Sequence, residues 1–281
     1  MAIPALTSVA TFGAKTAGAA VLDLTGVIEV AGESDARLPL ASVTKLLVAY
    51  AALIAVEEGT IALDDKAGPE GSTVAHLLSH ASGLAPDDPT RSLARPGTHR
   101  IYSSAAYEVL ASHIEQASGF EMAAYLADAV FEPLQMHHSA LLGPAGMGAV
   151  STVEDLTQFA GELLAPGLIS LETFALATSP VFPGLGGVLP GFGRQEPCDF
   201  GLGFEIRDHK APHWTGSMNS PATFGHFGQS GTFLWVDPVA SLSLVVLTDR
   251  PFGDWAAAAW PPLSDEVIES YPGPHQSQRP N

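Results

Sequence analysis

Ser42 and Lys45 stand three residues apart in Ser42-Val43-Thr44-Lys45. That spacing places both side chains on one face of a helix, one turn apart. A serine hydroxyl becomes a useful nucleophile when a neighbouring base takes its proton, and a lysine can be that base only when neutral. After Lys45 comes Leu46–Val56, apolar on every side, then Glu57-Glu58-Gly59. A helix apolar all round is a buried helix, and Gly59 supplies a C-terminal stop. The sequence therefore predicts a buried helix over 43–58 with Ser42 at its first turn. Free amide N–H groups there favour negative charge and can hold an oxyanion. The same dipole, with burial, disfavours an ammonium and drives the Lys45 pKa down. This is the Ser–Lys form of the activated nucleophile. The competing reading is a capping serine with a solvated lysine. The apolar run that follows Lys45 leaves no solvated face for it.

Other residues of chemical type carry less. His76 and His80 have the i, i+4 spacing of helical zinc ligands, but the Glu of His-Glu-x-x-His is missing and no third ligand is evident, so no metal is expected. His137-His138 reads as a solvated turn. Gly228-Gln229-Ser230-Gly231 lacks the Gly-x-Ser-x-Gly order of a nucleophile elbow and reads as strand and turn. No glycine loop for phosphate appears, and no cofactor is expected. Taken alone, Tyr102 reads as a core-edge tyrosine. His226 reads as a site-lining residue or as a core histidine satisfied by backbone.

The elements around these residues follow from pattern. Residues 8–12, 19–24 and 27–30 read as strands punctuated by Gly13, Gly18, Gly26 and Gly32. Residues 66–72 read as loop, and Ser72 or Thr73 caps a short helix through Ser79. Helices follow over 103–118, ended by Gly119, and 120–130, stopped by Pro133. Ser151-Thr152-Val153-Glu154 reads as a capping box opening a helix to Leu164. A shorter helix covers 170–177, and the Pro/Gly-rich 179–198 reads as a lid or crevice wall. Strands return at 203–206, 223–226, 232–236 and 242–247, the last apolar enough to be central. A terminal helix lies around 263–270. Strands at both ends should pair into one sheet, giving a sheet lobe of 1–65 with 179–281 and a helical lobe of 66–178.

Composition sets bounds on function. The chain has 281 residues, 46% hydrophobic and 15% charged, which suits one well-packed globular domain. Lys and Arg number 12 against 30 Asp and Glu, a net charge of −18. Such a charge argues against nucleic acid and anionic membrane surfaces as partners. The single Cys198 excludes an internal disulfide. Met1–Ala10 has no basic residue and no long apolar run, unlike a secretory signal. The run Leu46–Val56 is too short to span a bilayer. The expectation is a cytoplasmic protein; its oligomeric state is not legible.

Several segments together resemble the serine β-lactamase and penicillin-binding-protein superfamily, in its class C β-lactamase and family VIII esterase branch. Ser42-Val43-Thr44-Lys45 matches the nucleophile motif. His76-Leu77-Leu78-Ser79-His80-Ala81-Ser82-Gly83-Leu84 resembles the leucine-histidine-serine-glycine signature. Pro96-Gly97 leading to Tyr102-Ser103-Ser104 resembles Tyr-x-Asn. Gly201-Leu202-Gly203-Phe204 and Gly225-His226-Phe227-Gly228 resemble the later strands, the second being the Lys/His-x-Gly element. The resemblance covers about residues 17–260. It implies an α+β fold: an antiparallel sheet flanked by helices plus an all-helical lobe, with the site between them. It also implies roles. Ser42 is the nucleophile, Lys45 shares its proton, and Tyr102 is the second proton-transfer group. The N–H groups of Ser42 and Gln229 form the oxyanion hole, and Ser104, His226, Phe227 and Gly228 face the substrate. Two departures stand out. Ser104 replaces the family asparagine and is expected to leave a water between itself and Lys45. His226-Phe227-Gly228 lacks the Lys and Thr that β-lactam-processing relatives use for a carboxylate. The reading is a serine hydrolase working through an acyl-enzyme on a small ester or amide, most readily a carboxylesterase on short-chain acyl esters. The near alternative is a weak β-lactamase or D-amino-acid peptidase. The alternative of another class is a catalytically silent receptor.

Overall fold

The computed structural model describes residues 4–272. Its first element departs from expectation. Ala5–Thr11 is a 3-10 helix, not the strand expected over 8–12. The cause is a long-range cap: Glu29 Oε2 and Oε1 accept the N–H groups of Ala5 and Leu6 at 3.0 and 2.9 Å. A carboxylate at a helix start satisfies orphan donors and complements the dipole. Ala5, Leu6 and Val9 are then buried on one side.

The hairpin β1 (Ala17–Asp23) and β2 (Gly26–Gly32) follows. Next come β3 (Leu38–Pro39), a 3-10 turn Ala41–Val43, and α1 (Thr44–Glu57), in which Thr44 to Ala55 are all buried. Gly59 terminates this helix at φ +74°, a conformation that suits glycine. Then come α2 (Val74–Leu78), α3 (Ala105–Ser118), which ends at left-handed Gly119, and α4 (Met122–Leu126), which continues into a π-helical turn Ala127–Phe131. Two short strands, β4 (Ala140–Leu141) and β5 (Ala149–Ser151), join β3 in a small sheet of order β3-β5-β4. The helical segment is therefore not purely helical.

Helix α5 (Val153–Leu164) is capped by Thr152, whose Oγ1 accepts the Asp155 N–H at 3.0 Å. The expected Ser151–Glu154 box does not form, because Glu154 instead accepts from Ser34 Oγ at 2.9 Å. α5 lies against β1 and β11, so residues 153–164 belong with the sheet rather than the helical lobe. After α6 (Leu171–Ala177), the Pro/Gly-rich stretch holds a small hairpin, β6 (Gly187–Leu189) and β7 (Gly193–Gln195). β8 (Glu205–Ile206), β9 (Phe224–Gly228), β10 (Thr232–Asp237) and β11 (Leu242–Thr248) complete the main sheet. Its order is β2-β1-β11-β10-β9-β8. All its pairings are antiparallel. The two ends of the chain meet where Ala20 pairs Val245.

The last helix, α7 (Asp254–Ser270), starts well before the expected 263 and runs through Pro261 and Pro262. Prolines remove backbone donors inside a helix. Burial of Ala256, Trp260, Leu263, Val267 and Ile268 against the sheet outweighs that loss, since tertiary packing carries most helix stability. Two cores result, one on each face of the sheet. Alternation along β10 sends Leu234 and Val236 to the core with α1, and Phe233 and Trp235 to the core with α7, as a period of two requires.

Candidate active site

Ser42 sits mid-way in the 3-10 turn that feeds α1. The turn is held from three sides. Leu40 N–H donates to Ala149 O at 2.9 Å. Thr232 Oγ1 donates to Leu40 O at 2.9 Å, and Thr44 Oγ1 accepts the Ala149 N–H at 3.0 Å. Ala41 is held at φ +44°, a sparsely populated region for alanine. Strand β9 approaches this turn closely at Gly228, where a Cβ would lie 2.3 Å from Leu40 O. Only glycine fits there.

Lys45 is fully buried. Its Nζ donates to Gly146 O at 2.7 Å and lies 3.1 Å from Ser104 Oγ and 3.3 Å from Ser42 Oγ. Burial lowers its pKa from 10.5 to about 7, with Glu108 and then Asp87 pulling the other way. A neutral amine has two protons and one lone pair. The Gly146 carbonyl can only accept, and the Ser104 hydroxyl can accept the second proton. The lone pair is then left for the Ser42 hydroxyl, the arrangement a base needs. Gly146 is itself fixed, its N–H donating to Glu108 Oε1 at 2.9 Å. The direct Ser104 contact corrects the expected bridging water. The loop carrying Gly146 closes on Ser104 so tightly that a Cβ at 146 would lie 3.0 Å from Ser104 O, and this brings hydroxyl and amine together.

Tyr102 completes the group. Its hydroxyl is 3.3 Å from His226 Nε2, and Lys45 Nζ is 4.8 Å from its ring centroid. Burial drives its pKa above the ordinary phenol value, while the Ser42 hydroxyl acts in the opposite sense. His226 Nδ1 lies 2.6 Å from Phe227 O. A carbonyl only accepts, so Nδ1 carries the proton and Nε2 accepts from Tyr102. Burial, then Lys45, lowers the His226 pKa to about 4, so the ring is neutral near pH 7. His80 supports Tyr102 from beneath: the rings are 4.4 Å apart, and His80 Nδ1 accepts the Ser103 N–H at 3.1 Å. His76 points elsewhere, stacking on Phe182 at 4.1 Å. The two histidines of the zinc-like spacing therefore serve different packing tasks.

Beside Ser42 lies a small, partly open cavity. Leu189, Pro190 and Phe200 give it an apolar wall; Tyr102, His226 and Gln229 face it with Ser42. Among the described residues no acceptor takes the Gln229 N–H, while its carbonyl accepts from Phe252 N–H at 2.9 Å. Phe227 borders the cavity but belongs to the core on the far face of β9, its ring 5.0 Å from Phe252 and 5.8 Å from Trp214. Phe227 thus lines the cavity together with the hairpin tip and Phe200.

Sequence reasoning missed Glu205, which lines the cavity with a buried carboxylate. It accepts from Lys210 Nζ at 2.8 Å, His213 Nε2 at 3.0 Å and Trp214 Nε1 at 2.6 Å. Burial alone would raise its pKa, but His213 and Lys210 outweigh that and hold it below the usual carboxylate range. It also missed Arg100. This buried guanidinium donates to the carbonyls of Ser79, Cys198, Val181 and Phe182. It thereby ties the segment before Tyr102 to the stretch that carries the hairpin. No local pattern marks either residue.

A half-buried serine beside a buried lysine and a tyrosine, a strand-end N–H without an acceptor among the described residues, and an adjoining cavity with an apolar wall define a serine hydrolase on an antiparallel sheet flanked by helices. The comparisons agree. The family model described as Beta-lactamase matches residues 9–268, and the chain belongs to that family. Its fold superimposes on a beta-lactamase from Mycobacterium bovis at a TM-score of 0.94, with 54% identity over 95% of this chain and 99% of that one. EstCE1, a hydrolase with promiscuous acyltransferase activity, shares the fold at a TM-score of 0.73 and 18% identity, covering 94% of this chain and 96% of that one. An Escherichia coli (strain K12) protein, named as a provisional D-alanyl-D-alanine carboxypeptidase, is 23% identical over 203 residues, 56% of this chain and 46% of its own. The chain thus spans about half the length of the curated relatives it matches. Among the described residues no helix is long and apolar enough to cross a membrane.

Proposed function

We propose that this serine hydrolase is a carboxylesterase acting on short-chain acyl esters through an acyl-enzyme on Ser42. Neutral Lys45 takes the Ser42 proton as Oγ bonds to the ester carbonyl carbon. The N–H groups of Ser42 and Gln229 hold the oxygen that gains charge. Tyr102, a phenol at working pH, gives its proton to the leaving alkoxide. In the second half-reaction the tyrosinate takes a proton from water as the water oxygen bonds to the acyl carbon; the bond to Ser42 Oγ then breaks and Lys45 returns its proton to Ser42, which restores neutral lysine and phenol. Ser104 steadies Lys45, and His226 orients Tyr102.

One observation carries the substrate class. Among the described residues lining the cavity none is a lysine or arginine, and its one charged side chain, Glu205, is already paired with the buried Lys210. An anion buried there without a paired donor is strongly disfavoured. A neutral ester meets no such penalty, and the Leu189, Pro190 and Phe200 wall suits a short alkyl chain. Kinship with a beta-lactamase and a provisional D-alanyl-D-alanine carboxypeptidase makes β-lactam or D-amino-acid peptide hydrolysis the second reading. The direct approach of Lys45 Nζ to Ser42 Oγ at 3.3 Å, with the Tyr102 ring beside it, argues against a silent receptor.

The test is a screen of p-nitrophenyl acyl esters, a chromogenic cephalosporin and D-Ala-D-Ala peptides, with phosphonate labelling followed by peptide mass mapping. Ester turnover with the adduct on Ser42 is the expected result. Turnover of peptides or cephalosporin alone would support the second reading. No turnover and no adduct would leave the receptor.

A further inference from the structure

A second depression adjoins the first, and Tyr102 is the one residue that lines both. It is an open groove and the roomier of the two. It runs between the segment before Tyr102 and the outer face of the β6–β7 hairpin, whose tip supplies Leu189 and Pro190 to the inner cavity. Its floor and sides are largely apolar: Ile101, Leu93 and Val188, with Leu93 and Val188 exposed at 49% and 59%. His99 and the Arg194–Glu196 ion pair stand at its margin.

The chemistry decides what the groove holds. In the reaction above, the acyl carbon bonds to Ser42 and the carbonyl oxygen points at Gln229, so the acyl chain belongs in the small cavity those residues line. The leaving oxygen must lie within hydrogen-bond reach of the Tyr102 hydroxyl. The alcohol attached to that oxygen therefore departs past Tyr102, and the groove is the space on that path. We infer that the groove on the Tyr102 side is the alcohol subsite, and that it takes a bulky apolar alcohol joined to a short acyl group. The inference rests on the esterase reading and adds to it a size asymmetry: small acid, large alcohol.

The test uses two acetates, vinyl acetate and 2-naphthyl acetate, on the full chain and on the double variant Leu93→Glu with Val188→Glu. Both side chains are exposed, so the variant keeps the core intact. Carboxylates in the groove should lower the ratio of kcat/KM for 2-naphthyl acetate to that for vinyl acetate by at least about 10-fold, the size of effect expected when a pocket loses its match to an apolar group. Leu93→Ile with Val188→Ile should leave the ratio near the wild-type value. An unchanged ratio in the Glu variant would overturn the inference. If the unmodified enzyme turns over neither acetate, the esterase reading fails instead. Binding of 2-naphthol, followed by its fluorescence, then judges the groove separately. Binding weakened at least about 10-fold by the Glu pair supports the subsite, and equal binding removes it.

Discussion

Lys45 concentrates the residue-scale argument, because its proton count decides whether Ser42 is activated. Its folded pKa of about 7 lies below the ordinary lysine value of 10.5, so the amine is a base above neutrality and an ammonium below it. Only the neutral form can accept a proton. Hence kcat/KM should rise with pH through a midpoint near 7 and level off above, as a rate profile recorded from pH 5 to 9 would show. A profile flat across that range would remove Lys45 as base. Ser104 is the finer probe. Its oxygen accepts from Lys45 at 3.1 Å and so favours the ammonium. Ser104→Ala should lower kcat about 10-fold and move the midpoint to lower pH. A loss as large as that of Ser42→Ala, or a midpoint moved upward, would contradict this placement. Ser42 and Lys45 were legible because their relation is local, three residues in one turn. Tyr102, Gln229 and His226 were legible only through family resemblance, since they come from distant segments. Gly146, Glu108 and Glu205 carried no signal. Each acts through a contact between parts of the chain 38 or more residues apart, or through a cavity that exists only when folded.

Elements position these residues by close approach, and glycines show where. At Gly228, β9 meets the nucleophile turn, and an added Cβ would lie 2.3 Å from Leu40 O and 2.6 Å from Thr232 Oγ1. Backbone must give way, so Gly228→Ala should pry the Gln229 N–H away from Ser42. We expect a cost of roughly 1–3 kcal/mol in stability and a fall of at least about 100-fold in kcat. Gly161, inside α5 with nothing within 4 Å of its added Cβ, is the contrast. There Gly→Ala should stabilise by roughly 0.5–1 kcal/mol and leave kcat unchanged; a thermal melt beside an activity assay reads both. The strands β1, β2, β10 and β11 and the helix α1 were legible from apolar runs and glycine breaks. The 3-10 helix at Ala5–Thr11 was not, because its cap, Glu29, arrives from another strand. The full length of α7 was hidden by Pro261 and Pro262, which local rules read as a start and tertiary packing overrides.

At the scale of the molecule, charge and shape act together on the choice of substrate. A net charge of −18 gives a carboxylate no long-range attraction, and the described residues lining the cavity offer it no lysine or arginine at short range. His226 is neutral at pH 7, with a pKa near 4, and Glu205 is ionised. A cephalosporin must bring its carboxylate against this wall while its amide is attacked. An acyl ester brings none, and its alkoxide leaves more easily than an amine. Short p-nitrophenyl esters, acetate to hexanoate, should therefore exceed a chromogenic cephalosporin in kcat/KM by at least about 100-fold, or about 2.7 kcal/mol of transition-state binding. The variant that probes the cause is His226→Lys. Changing Phe227 as well would open a hole among Phe252, Trp214 and Trp260 and cost roughly 3–5 kcal/mol. A lysine at 226 offers the missing cation beside Tyr102 while Glu205 stays in place. It should narrow the gap chiefly by lowering KM for the cephalosporin, with the ester rate falling as Tyr102 loses its partner. Cephalosporin turnover by the unmodified enzyme at or above its rate on butyrate ester would overturn the esterase reading. A gap left unchanged by His226→Lys would show that something other than the missing cation sets the preference.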